Sequence, residues 1–84
     1  MPPEAVLEQD SVPDRSETVR LDVRDLPPPE PLQKTLETLS SLDDAILIQI
    51  NDRAPQHLFP KVEERGFDHE SVGDGPVYTA IWMP

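Results

Sequence analysis

The stretch Leu21–Leu39, "LDVRDLPPPEPLQKTLETL", joins a strand pattern to a helix pattern through a cluster of prolines. Upstream, from Val19 to Val23, apolar residues alternate with charged ones, which is the period of a half-buried β-strand. Downstream, from Leu32 to Leu42, leucines recur at spacings of four, three and three, which is the period of an amphipathic helix. The sequence therefore predicts a strand that leads directly into a helix.

The prolines at this junction allow two interpretations. Pro28–Pro31 has the PxxP spacing of segments that bind aromatic grooves, although such segments usually lie in disordered linkers. Alternatively, Pro29 and Pro31 occupy the first helical turn, where a missing N–H costs no hydrogen bond and a fixed φ is already helical. Glu30 precedes a proline, which disfavours helical ψ, but its carboxylate suits the positive end of a helix. We favour the helix-entrance interpretation.

The remainder of the chain extends this beginning to the order βαβαββ. The segment "AILIQIN", residues 45–51, is rich in isoleucine as a central strand is, and Asp52 can cap the helix that follows. Prolines restrict that helix to a short segment, which Gly66 can end as a left-handed cap. The last two strands flank a "GDGP" turn at residues 73–76. The predicted fold class is α+β, a two-layer sandwich in which two helices cover one face of a mixed four-stranded sheet.

Alternation along the strands predicts which side chains face the helices. Tyr78 and Trp82 are assigned to the open face, where they could contact a partner unless the N-terminal residues or arginine stems cover them. The residues assigned to the helix-covered face are Val19, Leu21, Val23, Ile46, Ile48, Ile50, Val77, Thr79 and Ile81.

Length and composition suit one small cytoplasmic domain. The chain has 84 residues, and residues 1–17, rich in proline and acids, predict a disordered acidic tail before a domain at residues 18–84. The first residues lack the basic and apolar regions of a signal peptide, and the longest aliphatic run is "AILI". A cytoplasmic location without a membrane span is therefore expected.

The net charge restricts the classes of partner. Seventeen acidic and seven basic residues give a net charge of -10, which repels nucleic-acid phosphates and anionic lipids, so neither partner is expected. Acid-rich, lysine-poor surfaces are typical of organisms with molar salt in their cytoplasm, where the Debye length falls to ~3 Å. An ordinary acidic domain explains the same composition, and both interpretations stay open.

The proline junction carries a resemblance to a known family. "LDVRDLPPPEP" resembles the TusA/SirA-like sulfur-carrier motif, in which a strand leads through Arg-Gly-Leu to Cys-Pro-x-Pro at the head of the first helix. Arg24 and Leu26 match the motif's arginine and leucine, Pro29 and Pro31 match its prolines, and Pro28 stands in place of the sulfur-carrying cysteine. The chain contains no cysteine, so persulfide transfer lacks its nucleophile.

The chain more closely resembles the cysteine-less relatives of these carriers, the domain of unknown function 2249 family. The features that carry this resemblance are "LDVRDLPPPEP", "NDRAPQHLFP" and "EERGF", while Asp25 replaces the glycine of the carrier motif. The resemblance implies the βαβαββ fold that the carriers share with the C-terminal domain of translation initiation factor three. Because the related domains often occur beside redox or hemerythrin-like modules, it also implies a regulatory role.

Charged residues are expected to converge near the start of the first helix. There the helix terminus and an arginine could hold a small anion. Alternatively, Asp52 caps the second helix while the arginines pair with Glu30 and neighbouring carboxylates. The candidate binding residues are Arg24, Pro28, Pro29, Glu30, Pro31, Asp52 and Arg53.

The sequence favours a non-catalytic binding or regulatory module over an enzyme. It shows no Ser-His-Asp arrangement or phosphate-binding glycine loop, and His57 and His69 lack metal-ligand spacing, so neither metal nor cofactor is expected. The expected partner is an unidentified protein or small ligand, bound by a monomer. An accessory role in a sulfur relay is one alternative. Nucleic-acid binding, by analogy with the initiation factor, is another, and the charge opposes it.

Overall fold

The strands and helices follow one another in the order that the sequence predicts. The computed structural model describes residues 1–15 and 17–84, and a 3-10 helix at Pro3–Glu8 precedes the first strand. The strands are β1 (Thr18–Asp22), β2 (Ile46–Asn51), β3 (Asp68–Val72) and β4 (Val77–Trp82), and the α-helices are α1 (Glu30–Ser40) and α2 (Leu58–Glu64). The βαβαββ order and the α+β class are confirmed. No helix within the described residues has the length and apolar content that crossing a bilayer requires.

The strands form one mixed sheet in the order β1-β2-β4-β3. β1 and β2 are parallel, and β4 pairs antiparallel with both β2 and β3. A parallel pair needs a long crossover connection, which α1 supplies between β1 and β2. Since β2 and β4 are the central strands, their side chains are buried almost throughout.

The two α-helices pack on one face of the sheet. Leu39 of α1 and both Leu58 and Val62 of α2 bury their side chains against Leu47 and Ile81. The partly buried residues that extend this core include Val19, Leu21, Leu32, Leu36 and Leu42. The leucine stripe of the first helix and the helix-facing orientation of β1 are therefore as the sequence predicts.

The alternation in β2 has the opposite phase to the prediction. Leu47 lies on the helix-covered face, opposite Ile81 of β4. Ile46, Ile48 and Ile50 belong instead to a second apolar cluster on the other face, so their predicted orientation is wrong. The strand is buried on both faces, and in such a strand hydrophobicity alone cannot say which side chains point where.

The second face of the sheet is covered by the N-terminal segment, residues 1–15. Val6 is fully buried and Val12 is 8% exposed, and both pack in the cluster that contains Tyr78 and Trp82. This differs from the expected disordered tail at residues 1–17 and from the expected open face; residue 16 of that tail lies outside the described residues. Two valines are enough to hold this polar segment on the sheet, because the sheet face beneath them is broad and apolar. Covering that face removes apolar surface from water, which is favourable.

Polar contacts fix the N-terminal segment at several points. The Tyr78 hydroxyl donates a hydrogen bond to the Met1 carbonyl oxygen at 3.0 Å. The Arg15 guanidinium donates to two backbone carbonyl oxygens, at 2.9 and 2.7 Å. Glu4 forms an ion pair with Arg20 of β1. The hydrogen bond that the Arg20 guanidinium donates within this pair lowers the pKa of the Glu4 carboxyl. The segment is therefore joined to the sheet by both apolar and polar contacts.

Candidate binding cleft

A cleft of about 1060 Å³ lies at the sheet edge where β1 and β2 end. Its lining comes from the loop after β1 and the start of α1, from the end of β2 and its following loop, and from α2. Because the two strands are parallel, both carboxyl ends meet at this edge, which is where open α/β sheets commonly bind ligands. The candidate binding residues that line the cleft are Arg24, Pro28, Pro29, Pro31, Asp52 and Arg53. Glu30 is exposed and lies outside this lining.

The prolines form the entrance of α1, as the helix-entrance interpretation predicts. Pro31 lies in the first turn as expected, whereas Pro29 is the N-cap residue, one position before that turn. The backbone N–H of Glu30 donates to the Pro27 carbonyl oxygen at 2.9 Å, and the N–H of Gln33 donates to the Pro29 carbonyl oxygen at 3.2 Å. Pro31 has no N–H. The first turn therefore has few donors left for an anion, contrary to the expectation that helix-terminal N–H groups would bind one.

Arg24, which lies three residues before the first proline of the cluster, is held by the carboxylate of Asp22. The guanidinium Nε and Nη2 donate to the two carboxylate oxygens at 2.9 and 2.6 Å, and the Arg24 backbone N–H donates to the same carboxylate at 3.1 Å. These hydrogen bonds hold the pKa of the Asp22 carboxyl below its ordinary value and raise the pKa of Arg24. Arg24 therefore pairs with a neighbouring carboxylate, as the ion-pair alternative expects, and that carboxylate is Asp22 rather than Glu30. The Arg24 side chain remains 43% exposed beside the cleft.

The loop after β2 carries Asp52 and Arg53 on its exposed surface. The Asn51 side-chain oxygen accepts a hydrogen bond from the Asp52 N–H at 2.8 Å and stabilises the turn. The N-cap of α2 is His57, which makes no side-chain cap, so Asp52 does not cap this helix as expected. Arg53 takes part in none of the ion pairs that the described residues form. The residue is exposed and belongs to the cleft lining.

Gln49 lines the cleft and its side chain is bonded to Thr35 of α1, and neither residue is among the candidates that the sequence predicts. Their side chains are 1% and 0% exposed, respectively, and Gln49 Nε2 donates to Thr35 Oγ1 at 2.9 Å. The Gln49 side-chain oxygen accepts a weaker hydrogen bond from Asn51 at 3.5 Å. A polar residue inside an otherwise aliphatic strand was the available signal, since buried polar groups require partners. The pair fixes the floor between β2 and α1.

The two histidines lie in different environments. His57 is exposed and lines the cleft. His69 is on β3, where its ring stacks on Phe59 with centroids 4.4 Å apart, and its Nε2 lies 2.8 Å from a Glu63 carboxylate oxygen. Within the described part of the chain, no three His, Cys, Asp or Glu side chains are grouped as metal ligands would be.

Tyr78 and Trp82 do not form an exposed patch. They are 7% and 4% exposed because the N-terminal segment lies over them. The alternative in which the chain covers its own aromatic side chains is therefore the one that the structure shows. As long as this segment stays in place, the cleft is the more accessible of the two candidate surfaces.

A known family matches the part of the chain that contains the cleft. The sequence model of a family described as "Uncharacterized conserved protein (DUF2249)" matches residues 20–84. The chain belongs to this family. The matched region includes every residue that lines the cleft, and it begins after the N-terminal segment. No curated protein and no solved structure matches the chain.

Proposed function

We propose that the chain is a non-catalytic binding or regulatory module that holds its partner in the cleft beside the α1 entrance. The observation that carries this proposal is the composition of the cleft walls. Five prolines, Pro28, Pro29, Pro31, Pro55 and Pro60, line the cleft together with apolar and charged side chains. Proline rings lose little conformational freedom on binding, so these walls are pre-organised for contact.

The side chains of the cleft suit binding better than covalent catalysis. Among the described residues that line it, none is a serine, threonine, tyrosine or cysteine, so a hydroxyl or thiol nucleophile is absent from the lining. Asp52, His57 and Lys61 are exposed to solvent, whereas groups tuned for acid-base catalysis are usually desolvated or closely paired. A binding role requires neither arrangement. In this proposal the chain acts in the cytoplasm as a monomer.

The resemblance to TusA/SirA-like carriers supports the same location. Pro28 corresponds to the sulfur-carrying cysteine under that resemblance, and it lines the cleft. In this proposal the scaffold retains the partner-binding surface of a carrier without its thiol. This correspondence favours a second candidate function, an accessory protein of a sulfur relay. Capture of a sulfurtransferase from the source cells by the wild-type chain, but not by a cleft variant, would support that candidate.

Amide chemical-shift mapping tests the binding module directly. Labelled protein is titrated with fractionated cell extract and with pooled metabolites. Shifts concentrated at residues 24–31 and 52–57 are expected, because these segments form two walls of the cleft. Arg53→Glu should weaken the response, and Arg65→Glu, an equal charge change at an exposed position outside the cleft, should leave it intact. Shifts confined to other parts of the chain would contradict the proposal.

A further inference from the structure

The charge of the cleft lining is opposite to that of the whole chain. The chain has 17 acidic and seven basic residues. The cleft is lined by three basic residues, Arg24, Arg53 and Lys61, and by one acidic residue, Asp52. Basic side chains therefore outnumber acidic ones locally by three to one on a strongly acidic protein. Anionic groups are therefore expected to approach the chain more readily at the cleft than over the rest of its acidic surface.

Two of the three cations are available to a partner. Arg24 already donates two hydrogen bonds to Asp22, so much of its charge is compensated. Neither Arg53 nor Lys61 belongs to an ion pair formed within the described residues, and both are exposed. They come from different segments, the loop after β2 and helix α2, so they can contact separate anionic groups.

The walls between these cations are apolar and open. Leu26, Pro31 and Pro55 are partly exposed, and Pro28 and Pro29 are exposed. Small-molecule sites usually bury most of the ligand surface, and a small ion here would remain in contact with solvent on one side. A peptide segment brings its own bulk and covers such a surface with several side chains at once.

We propose that the occupant of the cleft is an acidic peptide segment of a partner protein. Its carboxylates pair with Arg53 and Lys61, and an apolar side chain packs on Leu26 and the proline rings. This inference rests on the proposed binding function and specifies the chemistry of its partner. Because the ion pairs form at the rim of the cleft, they raise affinity chiefly through the association rate and fix the orientation, while the apolar contact slows dissociation.

Selection from a random peptide library displayed on phage tests the inference with the full chain as the target. Recovered peptides are expected to combine aspartate or glutamate with a large apolar residue. Their affinity, measured by fluorescence anisotropy on synthesised copies, should fall as salt is raised. Arg53→Glu should weaken binding about tenfold or more, because it reverses a charge that the peptide contacts. Arg65→Glu, which changes the net charge equally outside the cleft, should alter affinity less than about twofold.

Several outcomes would overturn the acidic-peptide assignment. Recovered peptides could be neutral or basic, or Arg53→Glu and Arg65→Glu could weaken binding equally, which would indicate a general charge effect. Displacement of bound peptide by citrate at similar concentration would assign the cleft to small anions instead. If no peptide is recovered while an extract component still shifts the cleft amides, the inference fails and the binding module stands. If neither is observed, both proposals fail.

Discussion

Gln49 and Thr35 connect the floor of the cleft to the helix entrance through a hydrogen bond between two buried side chains. Gln49 Nε2 donates to Thr35 Oγ1 at 2.9 Å, and the same hydroxyl donates to the Pro31 carbonyl oxygen at 2.7 Å. The hydroxyl therefore acts as acceptor for the central strand and as donor within α1. This arrangement fixes the first turn of α1, which carries the prolines of the cleft wall, relative to β2.

Thr35→Val is expected to destabilise the fold because it removes this acceptor without changing the side-chain shape. The buried Gln49 amide then lacks its partner, which costs about 1–3 kcal/mol of unfolding free energy. Urea denaturation measures the loss. Thr38→Val is the matched control, since Thr38 also donates to the carbonyl oxygen four residues earlier, at 2.8 Å from Lys34 O, but supports no buried amide. Equal losses in the two variants would contradict the role assigned to the Gln49 contact.

The double variant Thr35→Val with Gln49→Leu separates the unsatisfied amide from the loss of packing. Replacing both polar partners by apolar groups is often nearly neutral, so the second substitution should recover part of the stability lost by the first. If the double variant lost more unfolding free energy than the two single variants together, the pair would contribute to stability in another way.

The order of elements was predictable from local patterns, and the phase of β2 was not. The leucine period of α1, the proline entrance and Gly66 each report local geometry, and the structure agrees with all three. In β2, however, Ile46 to Ile50 is buried on both faces, so no polar face marks the solvent side. Gln49 adds to the wrong phase, because a glutamine in a strand is expected to point to solvent. Here it points to α1, where a threonine hydroxyl accepts the hydrogen bond of its side-chain amide.

The residues of the cleft were predictable only in part. Resemblance placed Arg24, the prolines, Asp52 and Arg53 near one another, and the parallel pairing of β1 and β2 brings them to one edge. The partners of the charges were not foreseeable, because the choice of Asp22 over Glu30 depends on side-chain geometry. The N-terminal segment was missed because its composition is that of a disordered tail, whereas its order depends on a tertiary contact.

Val6→Ala should loosen this N-terminal segment. Val6 is fully buried against the sheet, and removing two methyl groups there costs about 2 kcal/mol from lost burial and the cavity left behind. Trp82, which is the single tryptophan of the chain and lies in the same cluster, reports the change. We expect red-shifted emission and stronger acrylamide quenching as denaturant is added, beginning at lower concentration than in the wild type.

Glu8→Ala is the control for this prediction, because Glu8 is exposed in the same 3-10 helix and should leave both stability and emission close to wild type. If Val6→Ala also left Trp82 emission and the unfolding midpoint unchanged, the N-terminal segment would not cover the sheet in solution.

Asp22→Asn should reduce the acid sensitivity of the fold. The Asp22 carboxyl has a pKa below its ordinary value of 3.8 in the folded chain because Arg24 hydrogen-bonds it. A lowered folded pKa stabilises the protein above the unfolded pKa, and this contribution is lost as the pH falls through the folded pKa. The contribution is below about 1 kcal/mol because the pair is solvent-exposed.

Wild type should therefore exceed Asp22→Asn in stability at pH 7, and the difference should shrink below pH ~4. A difference in denaturation midpoint that stays constant from neutral to acid pH would exclude this linkage.

Gly73→Ala should destabilise the fold more than Gly66→Ala, although both glycines have positive φ, of +89° and +86° respectively. Each substitution places alanine in a left-handed conformation, at a cost of about 1–2 kcal/mol. A Cβ at Gly66 would meet only the Met83 sulfur at 3.9 Å, whereas a Cβ at Gly73 would lie 2.5 Å from the Pro76 carbonyl oxygen, a backbone atom of the β3–β4 turn. The turn must therefore deform in Gly73→Ala, which should add roughly 1 kcal/mol or more to the loss. Urea midpoints of the two variants measure the difference.

Neither glycine lines the cleft, so each folded variant should bind the selected peptides as the wild type does. Equal destabilisation of the two variants would show that the turn at Gly73 is not as tight as this geometry requires.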